Sequence, residues 1–494
     1  MYKTKRQFTI DDFVFPYGKL KADNRWVLLS KLIPWDEIER DYAEGFVNNG
    51  APAHHAKMAF GSLIIKQMLK CSDEELCNQV AENPYLQFFV GLKEFVEECP
   101  FGASTLVAFR KRFPESEVRR INDMILAKAK KSDDDNDDDD LSGSTGSNGS
   151  DNACSSAEHT LALDATVAPS DVAYPQDIRL LNEAREHLEA IIDEICIQTG
   201  AKKPRMYRNV ARREYLTWAK SKKHRAAKTR RALRKQLGYV TRDLRYIDEL
   251  VDRLDPDLSK RHKKLLETIV ILLGQQQYMY DNRLHSVLNR IVSISQPWVR
   301  PIVRGKAFAN TEFGAKIATS TDDYGLARIE DISFDAFNES EGLIASATAY
   351  FKRNGHWPDR ILADKLYRTR SNIAWCTERG IRLSGPKLGR PLKNAKLTKQ
   401  MKAQERQDAA DRNVIEGVYG TTKQSYGLNR VAARLEETTK TVIAMAILVF
   451  NLKKLLSSSL ASLLDTLFEV LNLLNQLSTG KWTQSLPVWM VVME

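Results

Sequence analysis

The chain has 494 residues, of which 43% are hydrophobic and 28% are charged, and its formal net charge is +10. A chain of this length is too long to fold around one hydrophobic core, so two or three domains of an ordinary soluble protein are expected. The seven aspartates between Asp133 and Asp140 contribute −7, so the rest of the chain carries about +17, which suits a polyanionic partner.

The same composition argues against a structural zinc site and against a membrane span. None of the six cysteines forms a CxxC pair and no histidine has zinc-finger spacing, so free thiols in a reducing cytosol are expected. The N-terminus has no apolar signal core, and the stretch Val442 to Leu452 is shorter than the roughly 20 apolar residues that span a bilayer. A cytoplasmic protein is predicted.

Residues 1–130 are predicted to form a helical domain. Apolar residues at helical spacing predict a helix over Ala59–Leu69, and Ser72 with Glu75 predicts a capping box at the start of the next helix. A third helix is expected from Ser104. Short helices of which the last is basic resemble a helix-turn-helix that reads a DNA groove, with a plain helical bundle as the alternative. The candidate DNA contacts are Arg110, Lys111 and Arg112.

Residues 131–158 are predicted to be a disordered linker. The aspartate run passes into a Ser/Gly-rich stretch with almost no apolar side chains to offset the entropy of ordering. The acidic part can compete with DNA for a basic groove, but a solvated spacer is the favoured interpretation.

Residues 159–452 are predicted to form an α/β domain interrupted by a helical insertion at about 177–300. Thr160 to Val167 is the first predicted strand, and long helices with heptad-like apolar spacing follow it. Between Lys202 and Arg245 only Glu214 and Asp243 are acidic, whereas basic residues are abundant and interleaved with aromatic ones. This pattern favours contact with a phosphate backbone over a solvated charged face.

Strand patterns resume after Pro301. Two strands are expected to flank a hairpin turn at Asp322–Gly325, followed by a helix, a strand, a helix ended by Gly380 and a last short strand. With the insertion removed, the order matches an RNase H-like core split after its first strand. The predicted elements are Glu312–Ser320, Leu326–Phe334, Glu339–Arg353, Arg360–Ala363, Ser371–Arg379 and Ile381–Ser384.

Three carboxylates are placed for metal-dependent chemistry. Asp164 and Asp364 each close an apolar strand pattern, and Glu416 lies on a predicted helix. Arg412 and Lys423 stand four residues before and seven after Glu416, so the three share one helix face. Such carboxylates can bind two divalent ions, which hold the attacking and the leaving oxygen of a phosphoryl displacement.

Other acidic residues are weaker candidates for this site. Asp171 and Asp177 follow the first strand where the chain turns away, and Asp359 precedes its strand instead of ending it. Glu405 lacks the flanking cations of Glu416. Lys387 and Arg390, in a Gly/Pro loop after the last strand, are candidate phosphate contacts, with a rigid turn as the alternative.

These motifs resemble those of bacterial insertion-sequence transposases of the DDE type, which carry a helical N-terminal domain and an RNase H-like catalytic domain. Related cut-and-paste enzymes have a Tyr-x-x-Arg-x-x-x-Glu-x-x-x-x-x-x-Lys signature, in which Ala409 here replaces the tyrosine. The resemblance rests on five segments: Leu163–Thr166, Ala363–Arg368, Gly385–Pro391, Arg412–Gly417 and Tyr426–Arg430.

The resemblance implies two Mg²⁺ ions, with Mn²⁺ as a substitute, held by Asp164, Asp364 and Glu416. It further implies hydrolysis at the ends of a mobile element, attack of the freed 3′-OH on target DNA, and a nucleoid-associated location. The expected partner is double-stranded DNA, as terminal inverted repeats and as target. A catalytically silent DNA-binding protein is the alternative function, and a nuclease that cuts without joining is a third.

Residues 453–494 are predicted to form an amphipathic helix and a tail. Leucines from Leu456 to Leu474 recur at steps of three and four residues. This helix is either a dimer interface, since pairing two element ends requires at least two protomers, or a helix that packs on the catalytic domain. A homodimer on DNA is the expected assembly.

Overall fold

The computed structural model describes residues 9–16, 18–46, 53–137, 158–303, 311–386 and 395–478. The chain divides into two compact units. The first comprises residues 1–153 together with 447–494, and the second comprises residues 154–446. The predicted helical domain thus forms one unit with the C-terminal segment, and the predicted α/β domain forms the other.

The first unit is helical around an aromatic core. Trp26 and Trp35 each contact Phe89 edge to face, while Phe113 stacks on Tyr42 and packs against Phe60. Large buried aromatic rings supply much apolar area per residue, which stabilises a small helical domain. The helices are α1 (Arg25–Leu32), α2 (Trp35–Glu44), α3 (Ala56–Leu69), α4 (Asp73–Glu82), α5 (Pro84–Phe89), α6 (Thr105–Arg112) and α7 (Glu115–Asp137).

Local signals set several of these helix ends. The Ser72 hydroxyl accepts a hydrogen bond from the Glu75 amide at the start of α4, as the capping pattern predicted. Helix α6 begins at Thr105, one residue after the predicted start. Helix α7 extends to Asp137, so the first seven residues of the predicted linker are helical, while residues 138–157 lie outside the described residues.

The second unit is built on a six-stranded mixed sheet, which confirms the α/β class. Strand β1 lies at its centre, antiparallel to β3 and parallel to β5, and β6 follows β5 in parallel. Strands β2 and β4 both pair with β3, and the turn Asp322–Gly325 joins β3 to β4 as predicted. The strands are β1 (Thr160–Pro169), β2 (Arg300–Val303), β3 (Thr311–Thr321), β4 (Ala327–Ser333), β5 (Arg360–Ala363) and β6 (Arg382–Leu383).

Four helices lie between β1 and β2, and the first, third and fourth of them share an apolar core of their own. Helix α10 packs along α8, and apolar residues at helical spacing, including Leu188, Ile192, Val240 and Ile247, fill the space between them. The long helices expected after the first strand are therefore present. They are α8 (Asp177–Thr199), α9 (Arg208–Ala219), α10 (Ala226–Leu254) and α11 (Lys260–Asn282).

Three of the four remaining helices, α12 to α14, cover the two faces of the sheet. Leu161 and Leu163 of β1 pack with residues of α12 and α13 on one face, whereas Ala162 packs with Ile415 and Tyr419 of α14 on the other. This alternation follows from the two-residue period of a strand. The helices are α12 (Leu343–Asn354), α13 (Arg370–Glu378), α14 (Ala395–Ser425) and α15 (Glu436–Ser478).

The C-terminal helix is longer than predicted, because it begins at Glu436 rather than near residue 453. By length and composition alone, the segment Glu436–Ser458 could cross a membrane, but most of that segment is buried inside the protein. Within the first unit, the Asn451 amide donates to the Asn122 Oδ1 of α7 at 2.8 Å, and both side chains are buried. Partnered burial of this kind is typical of a core helix in a soluble protein.

Candidate active site

Asp164 and Asp364 lie side by side on adjacent parallel strands. The expectation that both end their strands is wrong for Asp164, because β1 continues to Pro169, whereas Asp364 directly follows the last residue of β5. Leu163 of β1 is in register with Ala363 of β5, and each aspartate is the next residue along its strand. Neighbouring strands are about 4.8 Å apart, so the two carboxylates begin from neighbouring backbone positions. Asp164 shares its face with Ala162, and Asp364 continues the extended backbone of β5 beyond Leu362. Both side chains therefore follow the sheet face that α14 covers.

Helix α14 runs along β1 with matching steps. Ile415 packs with Ala162, the Tyr419 hydroxyl donates to the Asp164 backbone oxygen at 2.7 Å, and Lys423 Nζ donates to Thr166 Oγ1 at 2.8 Å. Four residues of a helix advance about 6 Å and two residues of a strand about 6.6 Å, so each of these three contacts meets the next at nearly the same spacing on both elements. This alignment fixes which part of α14 lies beside Asp164.

Glu416 lies next to this contact row and is more exposed than the aspartates. Its side chain is 54% exposed, and its Oε1 pairs with Arg412 Nη2 at 3.2 Å, one helical turn earlier. Arg412 also acts on Asp164, because its charge lowers the pKa of that carboxyl. The structure thus brings Arg412 and Glu416 to the sheet edge that carries Asp164, while Lys423 contacts the strand itself.

Burial and neighbouring carboxylates raise the pKa of Asp164 above its ordinary value. Burial is the largest cause, and the negative charges of Glu339 and Asp364 add to it. The Ala165 amide, which donates to Asp164 Oδ1 at 2.9 Å, and the Arg412 charge oppose the rise. Crowded carboxylates in a partly buried place repel one another, which favours either protonation or a cation between them.

The site also contains two residues that the sequence analysis did not select. Tyr419 joins α14 to the backbone of Asp164, and burial together with the Asp164 charge raises its pKa well above the usual value. Glu339 begins a short 3-10 helix, Glu339–Gly342, ahead of α12. Its position in sequence, inside a predicted helix, carried no sign that it approaches Asp164. Tyr419 stands three residues after Glu416, where helical spacing could have placed it near the sheet.

The competing acidic residues have other partners. Asp171 binds Arg430 at 2.6 Å, and Asp177 accepts from both Gln276 and Arg290. Asp359 accepts from the His159 amide at 2.8 Å. These contacts tie loops and helices together. Glu405 lies eleven residues before Glu416 on α14, three helical turns away.

The basic residues that were predicted to contact DNA have different surroundings in the structure. Arg110 forms a two-pronged ion pair with Asp73, and its side chain is only 12% exposed. Arg112 donates to the Gly45 carbonyl and lies over the Phe46 ring. Lys111 is exposed on α6. Lys387 and Arg390 lie outside the described residues.

The basic stretch from Lys202 to Arg245 is partly neutralised by one acid outside it and one within it. Arg208 and Lys203 both pair with Asp193 of α8, and Lys235 pairs with Glu214. Eight other basic residues of the stretch are exposed, and we call them together the basic helical face. They are Arg212, Arg213, Lys220, Lys222, Lys223, Arg225, Arg231 and Arg234.

Within the described residues, no three histidine, cysteine or acidic side chains are already close enough to hold a metal ion. The donor chemistry nevertheless suits a hard divalent cation, because carboxylate oxygens are the ligands that Mg²⁺ prefers. Asp164 and Asp364 begin from neighbouring positions on adjacent strands, and Glu416 pairs with Arg412.

Two family models match the chain. The family described as "Transposase DDE domain" matches residues 361–453, and the family described as "Transposase domain (DUF772)" matches residues 16–112. The chain is also similar to a protein of Rhizobium meliloti named "Uncharacterized protein ORF8 in nfe locus". Those two sequences are 28% identical over 162 residues, which cover 33% of this chain and 70% of the relative. No solved structure matches significantly. The first match includes Asp364 and Glu416.

Proposed function

Because the chain belongs to the transposases of the DDE type, we propose that it cleaves DNA at the ends of an insertion sequence and joins those ends to target DNA. The observation that carries the proposal is the register of β1 and β5, which sets Asp164 and Asp364 side by side under helix α14 with Glu416. Two carboxylates on adjacent strands and one on a covering helix suit metal-dependent phosphoryl transfer.

The fold supports the same proposal. We interpret the second unit as an RNase H-like core in which β3 and β4 pair beside β1 on one side and β5 and β6 on the other. Helices α8–α11 then form an insertion after the first strand, because they occupy the chain between β1 and β2 and three of them share their own apolar core. Strand β2, which the sequence analysis missed, adds a short partner to β3.

The proposed metal ligands are Asp164, Asp364 and Glu416. When bound, two Mg²⁺ ions supply Lewis-acid activation of the attacking and leaving oxygens, and Mn²⁺ can replace them. The chain's own residues position the substrate. Arg412 lies beside Glu416 and its charge acts on Asp164, so it can neutralise a phosphate next to the carboxylates. Tyr419 holds the strand and the helix at a fixed separation.

DNA is the proposed partner of both units. In the second unit, the exposed cations of the basic helical face suit contacts to a phosphate backbone, which do not depend on sequence. In the first unit, Lys111 and Arg112 are the exposed members of the predicted α6 contacts, and Arg112 also donates to the Gly45 carbonyl. We place the protein in the cytoplasm, associated with the nucleoid and acting as a homodimer on terminal inverted repeats and target DNA.

The test is cleavage and strand transfer on DNA that carries the flanking element ends, in the presence of Mg²⁺. Asp364→Asn is expected to lower product formation by about 10³-fold or more, because it removes one metal-binding charge and keeps the side-chain shape. Asp359→Asn is the matched control, because Asp359 directly precedes the strand that Asp364 follows, and this variant should retain activity.

The outcomes separate the candidate functions. Cleavage and joined product, both lost in Asp364→Asn with DNA binding retained, would support the transposase. Cleavage without joining would indicate a nuclease. Binding without cleavage in Mg²⁺ or Mn²⁺ would contradict the proposal and favour the silent DNA-binding protein.

A further inference from the structure

The four helices α8–α11 border a cavity of about 700 Å³. Its lining comes from the first residues of α8, from α9 and α10, and from the end of α11. This volume lies within the range of small-molecule pockets, which is about 300–1,000 Å³. Ile178, Trp218 and Met279 form a buried apolar part of the lining, whereas His224 and Arg230 are exposed. The cavity therefore has an apolar interior and a polar edge that carries a cation.

Aromatic rings border the cavity from two helices. Trp218 of α9 lies against His224, with ring centroids 4.5 Å apart, and Tyr280 of α11 borders the same cavity. The Trp218 Nε1 already donates to Thr229 Oγ1 at 3.3 Å, so Trp218 offers a ligand its ring and not its N–H group. Aromatic walls of this kind bind planar rings by stacking, and they accept every nucleobase because each has a π-face.

A buried acceptor beside the cavity lacks a partner. Gln276 of α11 lines the cavity and is almost fully buried. Its Nε2 donates to Asp177 Oδ1 at 2.9 Å, and because a carboxylate accepts, this contact fixes which end of the amide faces Asp177. Gln276 Oε1 is buried and has no hydrogen-bond partner among the residues that the structure describes. An unpaired buried oxygen is unfavourable, so a ligand with an N–H group gains by donating to it.

Arginines lie at the edge of the cavity and next to it. Arg230 Cζ lies 4.0 Å from the centroid of the Tyr280 ring, and Arg230 Nη1 donates to the Tyr280 carbonyl at 3.0 Å. These two contacts hold the guanidinium beside the aromatic lining. Tyr280 also borders a second cavity, of about 470 Å³, whose lining includes Arg234, Arg242 and Arg245. An aromatic cavity thus adjoins a cationic one.

The two cavities together match the two parts of a nucleotide. A base is a planar ring with N–H donors, and a phosphate is an anion that guanidinium groups bind through paired hydrogen bonds. Two of the arginines already pair with carboxylates, Arg242 with Asp243 and Arg245 with Glu249. The cations that suit a phosphate here are therefore Arg230 and Arg234.

We propose that this cavity is a binding site for one nucleotide, with the base stacked on Trp218, an N–H group of the base donating to Gln276 Oε1, and the phosphate bound by Arg230 and Arg234. The inference goes beyond the proposed function, because it involves neither the carboxylates nor a metal ion. The nucleotide is either a free one or an unpaired position of a DNA strand, which present the same base and phosphate. The competing interpretation is a cavity that holds water only.

The test measures the fluorescence of 2-aminopurine, which falls when this base stacks on an aromatic ring. The full-length protein is titrated, without divalent ions, against 2-aminopurine deoxyribonucleoside monophosphate and against an oligothymidylate strand that carries one 2-aminopurine. Saturable quenching is expected with at least one of the two probes. Deoxyribose phosphate, which lacks the base, should not displace the bound probe.

Ala227→Trp is the variant that fills the cavity. Ala227 is an exposed residue of α10 on the cavity lining, so a large side chain there takes the place of the base without disturbing the core. The affinity for the quenched probe should fall at least about tenfold. Ala219→Trp is the matched control, because Ala219 is an exposed residue of α9 outside the cavity lining, and it should bind like the wild type.

Gln276→Met removes the acceptor and keeps the length of the side chain. Loss of this hydrogen bond should weaken binding by about tenfold. A melting temperature close to that of the wild type shows that each variant is folded. Wild-type affinity in either Ala227→Trp or Gln276→Met, or no quenching of either probe, would overturn the inference and leave a cavity that holds water.

The two probes identify the source of the nucleotide. Quenching of the monophosphate indicates a free nucleotide, whereas quenching of the strand probe alone indicates an unpaired position in DNA. Asp364→Asn should quench like the wild type, so the result is independent of the proposed function. Absence of quenching with cleavage in Mg²⁺ intact would contradict this inference alone, and quenching without cleavage would contradict the proposed function alone.

Discussion

Tyr419 is the residue through which α14 and β1 are joined at the candidate active site. Its hydroxyl donates to the Asp164 backbone oxygen, and its ring packs with Ala162 and Leu362. Because burial raises its pKa well above the ordinary value, the phenol stays protonated and remains a donor throughout the working pH range. This hydrogen bond acts with the Ile415–Ala162 and Lys423–Thr166 contacts to hold α14, and with it Glu416, beside Asp164.

Tyr419→Phe should show whether the Tyr419 hydroxyl positions the catalytic groups or only stabilises the fold. Removing one buried hydrogen bond costs about 1 kcal/mol of stability, which a folded domain of this size can tolerate. The cleavage rate should fall more than this cost implies, by about tenfold or more, because small displacements of catalytic groups have large effects on rate. Denaturant unfolding and single-turnover cleavage measure the two quantities.

Tyr350→Phe provides the comparison, since Tyr350 is buried on the opposite face of the sheet. It should leave the cleavage rate unchanged. An equal fall in rate for both variants would show that Tyr419 acts only through stability.

Helix α6 shows that a basic run in sequence need not be a DNA contact. Arg110 binds both carboxylate oxygens of Asp73, the first residue of α4, and so joins the two helices. Lys66 of α3 reaches the same carboxylate at 2.6 Å, and the pKa of Asp73 is lowered because these two cations outweigh its burial. Arg110 therefore stabilises the packing of three helices, while Lys111 beside it faces solvent.

Two alanine variants should behave in opposite ways. Arg110→Ala is expected to cost about 1–2 kcal/mol of stability, because a charge-assisted hydrogen-bonded pair is removed from a partly buried place. Lys111→Ala should change stability by less than about 0.5 kcal/mol and weaken DNA binding. Thermal unfolding and DNA-binding titrations at one salt concentration give both results. A stable Arg110→Ala variant with weakened DNA binding would restore Arg110 as a DNA contact.

The elements of the sheet were predictable wherever local pattern decides structure. Short continuous apolar runs marked β1 and β5, and the turn Asp322–Gly325 was recognisable by composition. Strand β2 was missed because Arg300–Val303 has four residues and no alternation of its own, and it exists through pairing with β3. Pairing partners that are distant in sequence leave no local signal.

At the candidate site the sequence identified acids by their place on elements, but not by their distance from one another. Asp164, Asp364 and Glu416 each had a local pattern that indicated them. Glu339 had none, because the position of its turn depends on contacts of the turn with Asn372 and Lys316, which lie 33 and 23 positions from Glu339 in sequence. Side-chain contacts across such separations follow from the tertiary fold alone.

The charge of the whole molecule is distributed unevenly, and the second unit carries an exposed cationic surface. Arg231 and Arg234 lie one turn apart on α10 and are both exposed, within the basic helical face. Each cation that contacts a phosphate releases a counter-ion, which steepens the dependence of DNA affinity on salt. The net charge of +10 alone would also attract DNA, but without dependence on any one surface.

Arg231→Gln combined with Arg234→Gln distinguishes a specific phosphate-binding surface from overall charge. If both arginines bind phosphates, the slope of log affinity against log salt should become shallower by about 1.8, or about 0.9 for each phosphate that is no longer neutralised. Lys352→Gln, which removes an exposed cation of α12, serves as the control and should leave the slope nearly unchanged. Binding titrations on duplexes of unrelated sequence measure the slope. A double variant with the wild-type slope would exclude these arginines from the DNA interface, because overall charge does not tie the slope to two positions on one helix.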